Sequence, residues 1–376
     1  MAIERQTPDP AQEAEQMQDM TTERSDSDID NEIIEILEGL DEEGVQVQED
    51  GSVILGEMEE EMGDVGFSEN LAEVVSQSEL SKIYIELTAA IENDKAARKD
   101  WEKTYTDGLK YLGMKFDDGR SEPFEGASGV IHPLLGESVT QFQAQAYKEL
   151  LPPQGPVKTQ VVGEYSSAVE EQAQRVKEFM NYQIIHVMEE YDEDLDQMLF
   201  YLPLAGSAFK KVYYDENLQR PVSKFVAPED LIVPYYTTDL ESCPRITHVI
   251  KMPENEVKKL QAIGFYRDVR VADGNSSSDA SGVKEEIERL EGMEPSYDTG
   301  EVSNLYEVHC NLDLEGFEDV NAEGEYTEVK LPYIVTIDSN SENILAIRRN
   351  FEEDDPMKNK IEYFVHFKFL PGLGFY

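Results

Sequence analysis

Leu202-Pro203-Leu204-Ala205-Gly206-Ser207-Ala208-Phe209-Lys210-Lys211-Val212-Tyr213-Tyr214 is where the chain changes its hydrophobic period, and that change sets the fold class. Upstream, Val169, Ala173, Val176, Met180, Ile184, Val187, Tyr191, Leu195 and Met198 or Leu199 recur at spacings of three and four. Such spacing lays one apolar stripe along a helix, and it predicts a helix over residues 168–202, about nine turns and roughly 50 Å long. Gly206 and Phe209 mark the helix-to-strand transition. Beyond it, Phe209 to Tyr214 reads as a short strand, Pro221 to Val226 as its hairpin partner, and Asp215-Glu216-Asn217 as the turn between them. The fold class is α+β, with long helices bracing antiparallel β segments.

Toward the N-terminus the pattern stays helical. Ile85, Leu87, Ile91, Trp101, Tyr105, Leu109 and Leu112 predict a helix from Ser81 to Met114. Phe116 to His132 is rich in Gly, Ser and Asp and reads as a loop. Pro133 then suits a first helical turn, where its missing N–H costs nothing. The helix it opens runs to Leu150 and is stopped by Pro152-Pro153. Val157 to Val162 reads as a strand. Toward the C-terminus, Pro228-Glu229-Asp230-Leu231 is a tight turn, Ile246 to Lys251 a strand, and Pro253 to Ile263 a short helix stopped by Gly264. From Leu305 the chain is β-rich. Tyr306, Val308, Cys310, Leu312 and Leu314 alternate with Glu307, His309, Asn311 and Asp313, as in a strand with one buried and one polar face. Tyr333 to Ile337, Ile344 to Arg348 and Tyr363 to Phe369 are further strands.

The 376 residues hold 80 Asp and Glu against 32 Lys and Arg, a net charge of -48. Before Lys82 the only basic residues are Arg5 and Arg24, among runs such as Asp41-Glu42-Glu43 and Glu59-Glu60-Glu61. Like charges this dense repel one another, so residues 1–80 are expected to be an acidic, largely disordered tail, with Asn31 to Leu40 as a short amphipathic piece inside it. Residues 81–265 form a helical and β region. Residues 266–300 form a flexible, acidic and Ser-rich connector around Asp273 to Gly282. Residues 301–376 form an antiparallel β-rich region, and its apolar close at Leu370 to Tyr376 suggests a polypeptide that continues. The acidity argues against tight grip on a phosphate backbone, which needs Lys and Arg to displace counterions. It does not exclude a surface that a polyanion must slide past. No apolar run reaches the length of a membrane-spanning helix, so no membrane partner is expected.

No catalytic constellation emerges from the residues. A GxxxxGK[ST] loop and a strand-following GxGxxG are both missing. The five His (His132, His186, His248, His309, His366) lack zinc-ligand spacing. Asp26, Asp28 and Asp30, and again Asp192, Asp194 and Asp196, start like calcium loops. They fail at the glycine and at the bidentate acid, Leu37 and Pro203 standing in the last place. Both ladders read as solvated faces. Ser128, in Gly126-Ala127-Ser128-Gly129, does not form a nucleophile elbow. Cys243 and Cys310 read as ordinary reduced thiols. No cofactor, metal or catalytic residue is assigned.

Several stretches share an order along the chain that resembles the portal-protein family of tailed bacteriophages, in particular portals of short-tailed phages. They are Leu150-Leu151-Pro152-Pro153, Met180-Asn181-Tyr182-Gln183, Glu190-Tyr191-Asp192 with Asp194-Leu195-Asp196, and Leu202 to Tyr214. Val226-Ala227-Pro228-Glu229-Asp230-Leu231, Arg245-Ile246-Thr247-His248 and Phe369 to Tyr376 complete the set. The resemblance spans about residues 81–376 and leaves the tail outside it. It implies a wing-like region of a non-catalytic virion subunit, in which Gly206, Phe209, Pro228, Glu229, Asp230 and Arg245 are architectural. It further implies a homo-oligomeric ring, usually a dodecamer, at the portal vertex of a capsid, made in the host cytoplasm. Double-stranded DNA would be packaged and ejected through the ring without tight binding. Partners would be the large terminase subunit, head-completion or tail adaptor proteins, and the major capsid or scaffolding protein. An acidic adaptor or scaffold that recruits partners through residues 1–80 is the alternative, and a metal-dependent carboxylate hydrolase a third.

Overall fold

The structure, a computed structural model, describes residues 45–47, 53–55, 66–113, 132–215, 218–271, 283, 287, 289, 302–320, 326–339, 341 and 343–370. The chain divides into two units, Met1–Asp64 and Val65–Tyr376. In the first, strands β1 (Val45–Val47) and β2 (Val53–Leu55) pair antiparallel, with Val45 opposite Leu55. This hairpin lies within the stretch expected to be an acidic, largely disordered tail. The signal was present in Val-Gln-Val and Val-Ile-Leu flanking Asp50-Gly51, a hairpin pattern that the surrounding charge obscures. The amphipathic piece Asn31 to Leu40 and the ladder Asp26, Asp28 and Asp30 lie outside the described residues.

The larger unit starts its packing before Ser81, the expected start of ordered structure. Asn70 caps a 3₁₀ turn, Leu71–Glu73, by accepting from Ala72 N, and Leu71, Ala72 and Val75 are core residues. Ser76 then caps helix α1 (Gln77–Ala97) by accepting from Glu79 N. Leu80, Ile83, Leu87 and Ile91 form its buried face. At Arg98 the helix axis is interrupted, and α2 (Lys99–Leu112) continues with Tyr105 and Leu109 buried. The single helix expected from Ser81 to Met114 is therefore two. Helix α3 (Leu134–Leu150) follows Pro133 and stops at Leu151, as the flanking prolines require.

Val157 to Val162 is not a strand. Val162 is almost fully exposed, and among the described residues no strand pairs with this stretch. The long helix is likewise broken, into α4 (Ser167–Tyr182), a π-helical turn (Gln183–Val187) and α5 (Tyr191–Ala205). Met188 leaves helical geometry at φ -85° and ψ 81°. The acids Asp192, Glu193 and Asp194 then fill the first turn of α5, where they suit the positive end of a new helix. Helix α4 buries none of its residues; Val169, Val176 and Met180 of the expected stripe are exposed. In α5 the same stripe is buried through Leu195, Met198, Leu199 and Leu202.

Gly206 closes α5 in the left-handed region at φ 82°. No atom lies within 4 Å of where its Cβ would be, so backbone conformation rather than space selects glycine there. Strands β3 (Ser207–Asp215) and β4 (Arg220–Val226) form the expected hairpin. A 3₁₀ turn at Pro228–Asp230 leads to β5 (Leu231–Ile232), then β6 (Arg245–Pro253) and α6 (Glu254–Ala262). The chain continues through β7 (Val302–Leu312), β8 (Leu331–Asp338), β9 (Ile344–Arg349) and β10 (Phe364–Lys368).

Among the described residues of this larger unit the strands form two antiparallel sheets. One has the order β5-β6-β7-β8-β9 and the other β10-β3-β4. The last strand leaves the C-terminal meander to pair with β3, Phe364 opposite Lys211. Helix α1 covers one face of the larger sheet, its apolar residues meeting Tyr306, Val308, Cys310, Tyr333 and Val335. The smaller sheet packs near the other face, with Phe209, Val226, Leu231, Val233, Ile246 and Phe364 in one cluster. Helices α3 and α5 pack against the smaller sheet through Phe142, Leu195, Leu199, Ala208 and Phe225. Mixed helix and antiparallel sheet is the observed class.

Candidate functional site

The residues singled out from sequence meet where helices join sheets. Phe209, 2% exposed, lies opposite Val226 on one side and His366 on the other, and its ring stacks on the His366 imidazole at 4.7 Å. The Gly206 carbonyl accepts from Phe369 N, which ties the end of β10 to the end of α5. Pro228 and Glu229 are buried in their turn. The turn is held by a residue that sequence reading passed over. Arg98, 3% exposed between α1 and α2, donates through Nη2 to Glu229 O at 2.8 Å and through Nη1 to Leu231 O at 3.1 Å. Its Nε bonds Glu102 Oε1 at 2.8 Å. Nothing in Ala97-Arg98-Lys99 distinguishes this arginine from a surface helix residue, so no local signal could have found it. Arg245 makes the parallel link from β6, with Nη2 at 2.5 Å and Nε at 3.2 Å from Asp94 Oδ2 of α1. Two arginines thus clamp the α1–α2 bend onto the sheets, and both are charge-assisted contacts of the stronger kind.

A second cluster sits between the sheets. Lys211 of β3 places Nζ at 2.5 and 2.7 Å from the two oxygens of Glu307 on β7. His309 Nε2 is 2.9 Å from Glu307 Oε1, and His248 Nδ1 of β6 is 4.0 Å from the same atom. Phe364 lies edge-on to both imidazoles and Tyr363 to that of His309. Alternation along β7 had put Glu307 and His309 on a polar outer face. The structure corrects this, because β3 and β10 cover that side, and His309 is only 4% exposed. Burial alone would raise the Glu307 carboxyl, but the Lys211 charge and then the His309 hydrogen bond outweigh it and hold the group well below the usual carboxylate range. Burial pushes His248 down to about 4, so it is neutral at neutral pH. Both thiols are buried and raised by that burial, Cys310 to about 12, which leaves them as weak nucleophiles.

The acids of the second calcium-like ladder go to three separate partners. Asp192 accepts from Tyr147 Oη, Asp196 Oδ1 from Gln143 Nε2 at 2.8 Å, and Asp194 Oδ2 from Phe225 N at 2.7 Å. Among the described residues no group of three or more His, Cys, Asp or Glu is placed to hold a metal ion. Among them too, no helix is long and apolar enough to cross a membrane. Ser128 and the segment Pro371 to Tyr376 lie outside the described residues. No protein-family model matches the chain, and no curated protein matches it either.

Proposed function

We propose that the chain is a structural subunit of a portal ring, set at one vertex of a capsid, through which double-stranded DNA is packaged and ejected. One observation carries this reading. Several of the stretches that resemble portal proteins, far apart in sequence, lie on neighbouring elements of one helix-to-sheet junction. There Gly206 joins α5 to the β3–β4 hairpin, Asp194 of α5 binds Phe225 of β4, Arg98 holds the Pro228–Asp230 turn, and Arg245 ties β6 to Asp94 of α1. The Arg98 and Arg245 guanidinium groups are engaged in internal contacts, which suits a part whose task is to hold geometry. The net charge of -48 is in keeping with a wall that a polyanion passes without adhering. A ring requires a head-to-tail interface whose rotation closes. The large terminase subunit, head-completion or tail adaptor proteins and the major capsid or scaffolding protein would meet that ring, and the virion would be its location.

Negative-stain electron microscopy of the purified protein tests the proposal: closed rings of uniform copy number are expected. A chain that stays monomeric at micromolar concentration, and that loses its partners when residues 1–64 are removed, would overturn it in favour of an acidic adaptor. The deletion has to stop there because Leu71, Ala72 and Val75 belong to the core.

A further inference from the structure

The smaller sheet is covered over only part of its face. Helix α5 lies along β4, with Asp194 Oδ2 accepting from Phe225 N at 2.7 Å and Glu190 Oε1 from Ser223 N at 3.0 Å. The path from Asp194 to Glu190 therefore follows β4 from Phe225 toward the hairpin end at Arg220. Lys210 of β3 sits under Tyr191, its Nζ 4.1 Å from the ring centre. Alternation puts Val212 and Tyr214 on the same face as Lys210, one and two steps nearer the hairpin end. Lys210 is 4% exposed, Val212 41% and Tyr214 57%. The cover ends where α5 begins.

A matching cover exists elsewhere in the chain. Val169, Ala173, Val176, Met180, Ile184 and Val187 keep the spacing of three and four that leads into Tyr191, Leu195 and Met198. In one unbroken helix all of them would share the face that α5 turns to the sheet. The break prevents this. Gln183–Val187 form a π-helical turn, Met188 leaves helical geometry at φ -85° and ψ 81°, and α4 departs with Val169, Val176 and Met180 exposed. Asn181 fastens α4 to the loop before it, Oδ1 accepting from Val157 N at 2.9 Å and Nδ2 donating to Val157 O at 3.2 Å.

We propose that α4 is a hinged strap: Met188 regains helical geometry, α4 and α5 become one helix, and the apolar stripe of α4 closes over Val212 and Tyr214. The seat continues the surface that α5 already covers, and its occupant is the segment joined to α5 itself. Lengths agree. Tyr214 lies four strand residues beyond Lys210, about 13 Å. That corresponds to about nine helical residues back from Tyr191, between Met180 and Ile184 of the stripe. The π-turn suits such a change, because moving its bonds from i→i−5 to i→i−4 makes it α-helix. Closure exchanges the Asn181 bonds to Val157 for burial of apolar side chains on both surfaces. It needs no second chain and stands independently of the ring.

The test uses the full chain with Met180→Cys and Tyr214→Cys, both at exposed positions, and a short bifunctional thiol reagent. Cys243 and Cys310 are buried and do not compete. A bridge within one chain is expected, read by mass spectrometry. Adding Asn181→Ala should speed bridging about tenfold, the scale of one hydrogen bond. Adding Glu189→Pro should abolish it, because proline forbids a continuous helix there. The same substitution suits the bend, since the residue before a proline avoids helical geometry as Met188 does, so its urea midpoint should match that of the parent. The strap is overturned by a bridge that survives Glu189→Pro, by bridges only between chains, or by none in the parent and the Asn181→Ala chain. A lowered midpoint in Glu189→Pro overturns Met188 as the hinge.

Discussion

Each sheet shields one outer strand with side chains that imitate a neighbouring backbone, and the two do so with different chemistry. At β9 the imitation is neutral. Asn70 Nδ2 donates to Leu345 O and its Oδ1 accepts from Ile347 N, both at 3.0 Å, while the same oxygen caps the Leu71–Glu73 turn. At β4 it is ionic, through Glu190 and Asp194. An amide satisfies a donor and an acceptor together and carries no proton that a change of pH could move. A carboxylate satisfies donors alone and changes state in acid. The comparison teaches that the shield of β9 does not titrate, whereas that of β4 does.

The largest effect in breaking this contrast is expected from Asn70→Ala. It orphans a donor and an acceptor of buried β9 and removes a cap, so urea denaturation should show a loss of about 3 kcal/mol, unchanged between about pH 7 and about pH 5. Next comes a separation that any acid experiment on β4 needs. His248 is neutral in the fold and pushed down to about 4, below its unfolded value. The unfolded chain then binds the extra proton, so stability is full above about pH 6.5 and falls as the pH drops toward about 4. Replacing it by His248→Phe should flatten the fall by about 2 kcal/mol in pH-dependent urea midpoints, and what remains belongs to other groups, Glu190 among them. Glu190→Ala should cost about 2 kcal/mol at neutral pH by freeing Ser223 N and Arg220. Because the Glu190 carboxyl is lowered in the fold, its contribution is present above the unfolded value and lost as pH falls through the folded one. The penalty should therefore shrink in acid, whereas that of Asn70→Ala should not. The smallest effect is expected from Val176→Gln on exposed α4, within about 0.5 kcal/mol by thermal melting.

Alternation and helical spacing located the β3–β4 hairpin, α3, α6 and strands β6 to β9 of the larger sheet, because each is decided by local period and local punctuation. They misplaced what tertiary contact decides. One stripe from Val169 to Leu199 looks uniform, yet α5 buries its part against β3 and β4 while α4 meets no such surface among the described residues. The acids at 192–194 were a helix-start signal inside that stripe, and a continuous apolar period hid it. The polar cluster of Lys211, His248, Glu307 and His309 was not legible at all. It depends on β10 turning back to cover the second face of β7, a long-range pairing that no window of sequence contains. Arg98 is illegible for the same reason, its two backbone acceptors lying more than a hundred residues away in sequence.

The chain holds one tryptophan, and Trp101 on α2 donates Nε1–H to Ala205 O at 3.2 Å while its indole stacks on Tyr105. The carbonyl belongs to the last turn of α5, immediately before Gly206. Emission from this lone indole therefore watches a single seam, the docking of α2 onto the end of α5. Intrinsic fluorescence becomes a label-free gauge of the joint through which helices and hairpin are coupled, readable in the unmodified protein during assembly or acidification.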